Sequence, residues 1–137
     1  MSSSDQPGHG DFIIGSSDWR STQNDDLWQG VNGVNNPCPI GYRLPTEAEL
    51  NAERQSWVQP PISSANNSDG AFASPLKLPA GGRRISSGTI DVVGVFGFYW
   101  SSTIDSAGSR GLIFNNSIAN VDGDVRASGR SVRCIKD

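Results

Sequence analysis

Over the last forty residues, apolar and polar positions alternate with the period of two that marks a half-buried strand. In GLIFNN, residues 111–116, this sets Leu112 and Phe114 on one face and Gly111, Ile113 and Asn115 on the other. VFGFYWSST, residues 95–103, is β-branched and aromatic and is expected at the centre of the sheet. SVRCIK turns Val132 and Cys134 inward and Ser131, Arg133 and Ile135 outward. Asn115 and Asn116 suit a hairpin turn after which SIANV pairs back, and Asp122-Gly123-Asp124 reads as a second tight turn. The clearest helical signal is RLPTEAELNAERQSW, residues 43–57. Thr46 and Glu49 form a capping box, Glu47 favours the positive end of the helix dipole, and Pro60 and Pro61 stop the run. A helix over Glu47 to Trp57 follows, with Leu50, Arg54 and Trp57 on one face. Glu47, Glu49 and Glu53 are read as charges of a solvated helix rather than catalytic carboxylates.

Elsewhere the pattern is weaker. Residues 1–10 are polar and expected to be disordered, leaving 11–137 as the domain. Phe12 to Ile14 form a short opening strand ended by Gly15. Residues 21–37 are a loop tacked down by Leu27 and Trp28, and both Trp19 and Trp28 are read as packing residues. Residues 62–74 make a second polar loop. SPLKLP then alternates Leu76 and Leu78 with polar neighbours, as a strand with one buried face would.

Composition narrows the class. At 137 residues the chain suits one domain, able to bury roughly two thirds of its unfolded surface. With 35% hydrophobic residues, 16 Gly and 8 Pro, strands and ordered loops are expected to outweigh helices. Net charge is −3 and the 11 Lys and Arg never cluster, which argues against nucleic acid as a partner. No apolar stretch approaches the roughly 20 residues that span a bilayer, and the N-terminus lacks the pattern of a signal peptide. Cys38 and Cys134 either bridge across about 100 residues or remain two free thiols.

Catalytic chemistry has little to draw on. The single His9 lies in the polar tail, so nucleophile and base pairs have no partner, and His and Cys metal sites lack ligands. The chain is therefore expected to be non-enzymatic and to need no cofactor. Calcium is the one candidate ion. Asn120, Asp122 and Asp124 offer oxygens at short spacing, but the EPN, QPD and WND tripeptides of calcium-using lectins are absent and a plain turn explains the acids.

The run NPCPIGYRLPTEAELNA, then YWSST, then RASGRSVRCIKD resembles the Fibrobacter succinogenes major paralogous domains, relatives of other C-type lectin-like domains, over about Asp11 to Asp137. A similar RLPTEAEW-like run occurs in formylglycine-generating enzymes, whose pair of nearby cysteines and greater length this chain lacks. The resemblance implies an α+β, C-type lectin-like fold: a small twisted antiparallel sheet, one or two flanking helices and much irregular loop. It also implies a disulfide from Cys38, before the helix, to Cys134 in the final strand.

In related lectin-like domains, including the variable proteins of diversity-generating retroelements, the stretch after the YWSS-like strand forms the binding surface. By that resemblance the ligand-binding candidates are Asp105, Ser106, Arg110, Ile113, Asn116, Asp122, Asp124 and Arg130, between frame residues Trp100, Leu112, Phe114, Val132 and Cys134, and Tyr99 joins them as an aromatic able to anchor a ligand. The implied partner is a protein or glycan on a cell surface, met by a module of a larger secreted, surface or virion-borne protein without membrane insertion. The alternatives are a structural or accessory module of a larger envelope protein and a calcium-dependent glycan-binding lectin.

Overall fold

Thr46 opens helix α1, Glu47–Ser56, as its capping box predicts: the Thr46 hydroxyl accepts from the Glu49 N–H, and the Glu49 carboxylate accepts from the Thr46 N–H. The computed structural model describes residues 1–62 and 65–137. Two positions of the expected 62–74 loop, Ser63 and Ser64, lie outside the described residues. The architecture is α+β, with small antiparallel sheets and two helices among the described residues. The main sheet runs β4 (Gly97–Asp105), β5 (Gly108–Phe114), β6 (Ala119–Val125), in that order. Its pleat gives it two unlike faces.

One face meets α1. Leu112 and Phe114 are fully buried against Leu50 and Trp57, the Trp57 ring standing edge-on to Phe114 at 5.9 Å and Tyr99 lying parallel to it at 6.0 Å. Burying each of the larger side chains stabilises the fold by about 2 kcal/mol. Gly97 faces Phe114 across the strands, and any Cβ there would fall inside the Phe114 ring.

The segment just before α1 is tied to the C-terminal strand. β1 (Tyr42–Arg43) pairs with β7 (Ile135–Lys136), and Cys38 is bonded to Cys134 just beside that pair. Residues 1–10 lie against the loop that follows, with the Ser2 N–H donating to the Trp19 carbonyl and Arg20 paired to Asp5. No helix of the described residues is long and apolar enough to cross a membrane.

Several expected elements differ. β5, not β4, is the middle strand, although β4's other edge is met by Ser131, which exchanges backbone bonds with Phe98 and Trp100. Asp122-Gly123-Asp124 is not a turn but the middle of β6, opposite Gly111, Arg110 and Ser109. The tight turn lies instead between β4 and β5, where Ser106 takes a left-handed φ of 49°. Phe12 to Ile14 form no strand; Phe12 sits under the Arg84 guanidinium. Leu76 to Leu78 are not extended either, because Lys77 has φ 51°, which breaks the run while Leu78 still reaches the core. The loop before them contains helix α2, Ser68–Ala73, started by Asn67, whose side chain accepts from the N–H groups of Asp69 and Gly70.

Candidate functional site

The sheet's second face, away from α1, carries Phe98, Trp100, Ile113, Asn120, Asp122 and Asp124, as the cross-strand pairs Phe98–Ile113–Asn120 and Trp100–Gly111–Asp122 require. Arg130 lies flat across it. Its guanidinium carbon stands 4.4 Å from the Trp100 ring centre and 5.2 Å from that of Phe98, and the Arg83 guanidinium carbon stands 4.9 Å from the Phe98 centre. Gly111 makes the room: a Cβ there would stand 3.1 Å from the Arg130 guanidinium and 2.5 Å from the Tyr99 carbonyl. Asp124 accepts from Arg130 at 2.7 and 3.2 Å and from Arg83 at 3.1 Å. Burial pushes the Asp124 carboxyl up, but the Arg130 hydrogen bond and charge outweigh it and hold it below its ordinary range.

This arrangement corrects part of the expected binding face. Arg130, with a side chain only 3% exposed, is a strut rather than a ligand contact, and Asp124 is its counter-ion. Tyr99 is buried on the helix face, its hydroxyl donating to the Pro79 carbonyl and its ionisation pushed up by burial. Arg110 is also on the helix side, donating to Glu47 on α1 at 2.9 Å and to Asp105 at 3.3 Å. Ile113 is half-buried rather than open. Asp105, Ser106, Asn116 and Asp122 are exposed. They form no single patch, since Asp105 and Ser106 flank one end of β5 and Asn116 the other, about 20 Å apart along a seven-residue strand.

The Asp105 and Ser106 end of the hairpin adjoins an enclosed concavity. Trp19, Trp28 and Trp100 wall a cavity of about 50 Å³, with Asp18, Ser101, Ile104, Ser109 and Arg126 completing it. Trp19, Trp28 and Arg126 also line an open cleft of about 620 Å³ beside it, bounded by Phe12 and Ile13. The inner space holds a few waters or one small group; the outer one is ligand-sized.

Loop 18–29 is fastened over this end of the sheet. Gln29 donates to the Ser102 carbonyl at 2.8 Å, Gln23 to the Ser106 carbonyl at 2.9 Å, and Arg126 to the Gly108 carbonyl at 3.1 Å and Asp25 at 2.6 Å. Hydrogen bonds from Gln23 and then Arg126 hold the Asp25 carboxyl below its usual range. Buried Asp18 lies 3.9 Å from Arg126, and its Oδ2 makes no hydrogen bond. Trp28 adopts φ 64°, a conformation that costs a non-glycine residue about 1–2 kcal/mol and persists only where the surroundings dictate it.

The sequence reading set Trp19 and Trp28 aside as packing residues. Their signal was two indoles in a stretch of Asp, Asn and Gln, which a plain surface loop does not need. Comparison of the chain with protein-family models, curated proteins and solved structures finds no match.

Proposed function

We propose that the chain is a non-enzymatic ligand-recognition module of C-type lectin-like type, and that its ligand enters the tryptophan-walled cleft rather than spreading over the open sheet. The observation that carries this reading is the strained Trp28, held with Trp19 and Trp100 around a preformed cavity. Aromatic walls with a few polar groups bind ligands at low cost in side-chain entropy. The bond between Cys38 and Cys134 and the β1–β7 pairing support the lectin-like reading, and the disulfide suits a secreted, surface or virion setting. None of the expected binding residues lines the cavity; Asp105 and Ser106 are exposed and directly follow Ile104, which does. Calcium has no part in this reading, because the Asp124 carboxylate is taken by Arg130 and Arg83.

A glycan array and a cell-surface protein array, probed with the oxidised chain, supply the ligand. Trp28→Ala is expected to weaken its binding at least tenfold, and ligand addition to shift the tryptophan emission, with chelators changing neither. Binding untouched by Trp28→Ala but lost in Asp122→Ala would return the site to the sheet. If neither array yields a ligand at micromolar concentration, the structural-module reading stands instead.

A further inference from the structure

Strand β6 is the last strand of the main sheet, so among the described residues one of its edges has no neighbouring strand. Such an edge ordinarily presents a row of free N–H and C=O groups that another chain can pair with. The phase of the hairpin shows which groups face outward. It closes with the Asn115 N–H donating to the Ile118 carbonyl, and the next pairs are Phe114–Ala119, Ile113–Asn120, Leu112–Val121, Gly111–Asp122 and Arg110–Gly123. Hydrogen-bonded and non-hydrogen-bonded pairs alternate in an antiparallel ladder. Ala119, Val121, Gly123 and Val125 therefore turn their backbone groups away from β5.

Most of those groups are already engaged. The Val121 N–H donates to Asn120 Oδ1 at 2.9 Å, the Gly123 N–H to Asp122 Oδ1 at 2.8 Å and the Val125 N–H to Asp124 Oδ1 at 2.8 Å. At the two ends, the Ala119 carbonyl accepts from Asn66 at 3.0 Å and Arg54 at 3.5 Å, and the Val125 carbonyl accepts from the Ser128 N–H at 3.0 Å. An arriving strand finds the Val121, Gly123 and Val125 donors occupied and must strip water from the exposed Asp122 carboxylate to reach the central one.

We propose that the alternation Asn120, Asp122, Asp124 is a lock that closes β6 against pairing with β6 of a second copy of this chain. It works by hydrogen bonding to the chain's own N–H groups, not by charge alone. The lock also gives Asp-Gly-Asp, so suggestive of a turn, a reason to sit in mid-strand.

Because Asp124 also holds Arg130, the test uses positions 120 and 122 in the full oxidised chain. Sedimentation velocity across about 10 µM to about 1 mM reports association, and amide exchange by NMR reports the individual N–H groups. The wild type and Asp122→Asn, which keeps the acceptor and loses the charge, are expected to stay monomeric. Asn120→Val combined with Asp122→Val is expected to self-associate as concentration rises, with Gly123 exchanging about tenfold faster at the dilute end. Should the double variant not fold, Asp122→Thr alone carries the same two expectations in weaker form. Asp122→Asn associating as strongly as the valine variant overturns the lock in favour of charge. A folded valine or threonine variant that stays monomeric with unchanged Gly123 exchange overturns it altogether.

Discussion

Arg130 shows how one side chain decides what a surface can do. Stacked on Trp100 and Phe98 and held by Asp124, it converts a strand face that would otherwise expose two aromatic rings into a sealed layer. Burial lowers its proton affinity while the Asp124 hydrogen bond and charge raise it, and burial prevails; Asp124, by contrast, stays ionised because Arg130 outweighs its own burial. Removing either partner strands the other, which typically costs about 3 kcal/mol or more. Arg130→Ala and Asp124→Asn should each lower the unfolding free energy, read from denaturant melts, by an amount of that order, and the double variant by less than the sum of the two. Arg130→Lys should recover only part of the loss, because an ammonium cannot lie flat on two rings while donating twice. Glu49 acts at the same scale but through pH. The hydrogen bonds from Arg43 lead its stabilisation as a carboxylate, with those from Thr46 adding to it against burial, and its pKa falls from 4.5 to about 2. The folded chain thus binds this proton less readily than the unfolded one, so the contribution is complete above about pH 4.5 and is lost as pH falls toward 2. With the Glu49 side chain 40% exposed, solvent screening cuts the effect to about 1 kcal/mol. Acid titration of stability in Glu49→Gln should be flatter over that window, and an unchanged curve would assign the acid transition to other carboxylates.

At the scale of elements, legibility followed how local the cause was. Helix α1 was readable to within a residue because its capping box lies within four positions. The core pair Leu112 and Phe114 was readable because the pleat has a fixed period. The same period already placed Arg110 with Leu112, on the helix side and away from Ile113, so grouping Arg110 with the outward residues set aside a signal the chain carried. Other features had no local signature. Asp-Gly-Asp has turn composition, and only the seven-pair register with β5 keeps it extended. Leu76 and Leu78 alternate like a strand, yet Lys77 at φ 51° shows that tertiary contacts, with the Leu78 N–H donating to the Ala71 carbonyl, override the pattern. The cleft was least legible of all. Trp19 and Trp28 are more than 70 positions from Trp100, and only the bonds from Gln23, Gln29 and Arg126 to the β4–β5 hairpin bring them together. Side-chain bonds between a loop and distant carbonyls leave no periodicity to detect.

For the whole molecule, the organising fact is that the segment before α1 and the distant C-terminal strand close on each other beside one covalent bond. Cys38 and Cys134 are 96 positions apart, so their bridge restricts the unfolded chain over most of the domain, worth about 4–5 kcal/mol in the chain-entropy model. The noncovalent closure beside it is slight. β1 and β7 pair over two residues each, joined by Arg43 donating to Asp137 at 2.7 Å, an exposed pair worth well under 1 kcal/mol after screening. Domains of ordinary stability resist unfolding by about 5–15 kcal/mol in total, so the bridge supplies a substantial share of that and the terminal ion pair very little. The double substitution Cys38→Ala with Cys134→Ala should therefore lower unfolding free energy by about 4 kcal/mol, and reduction of the wild type should do the same. Neither β1 nor β7 pairs with a strand of the main sheet, so in reduced protein that remains folded, amide exchange should quicken first at Tyr42, Arg43, Ile135 and Lys136 and last at Leu112 and Phe114. Uniform acceleration at all of these sites would mean that the terminal pair and the sheet open as one unit, and that the disulfide holds the domain closed rather than its ends alone.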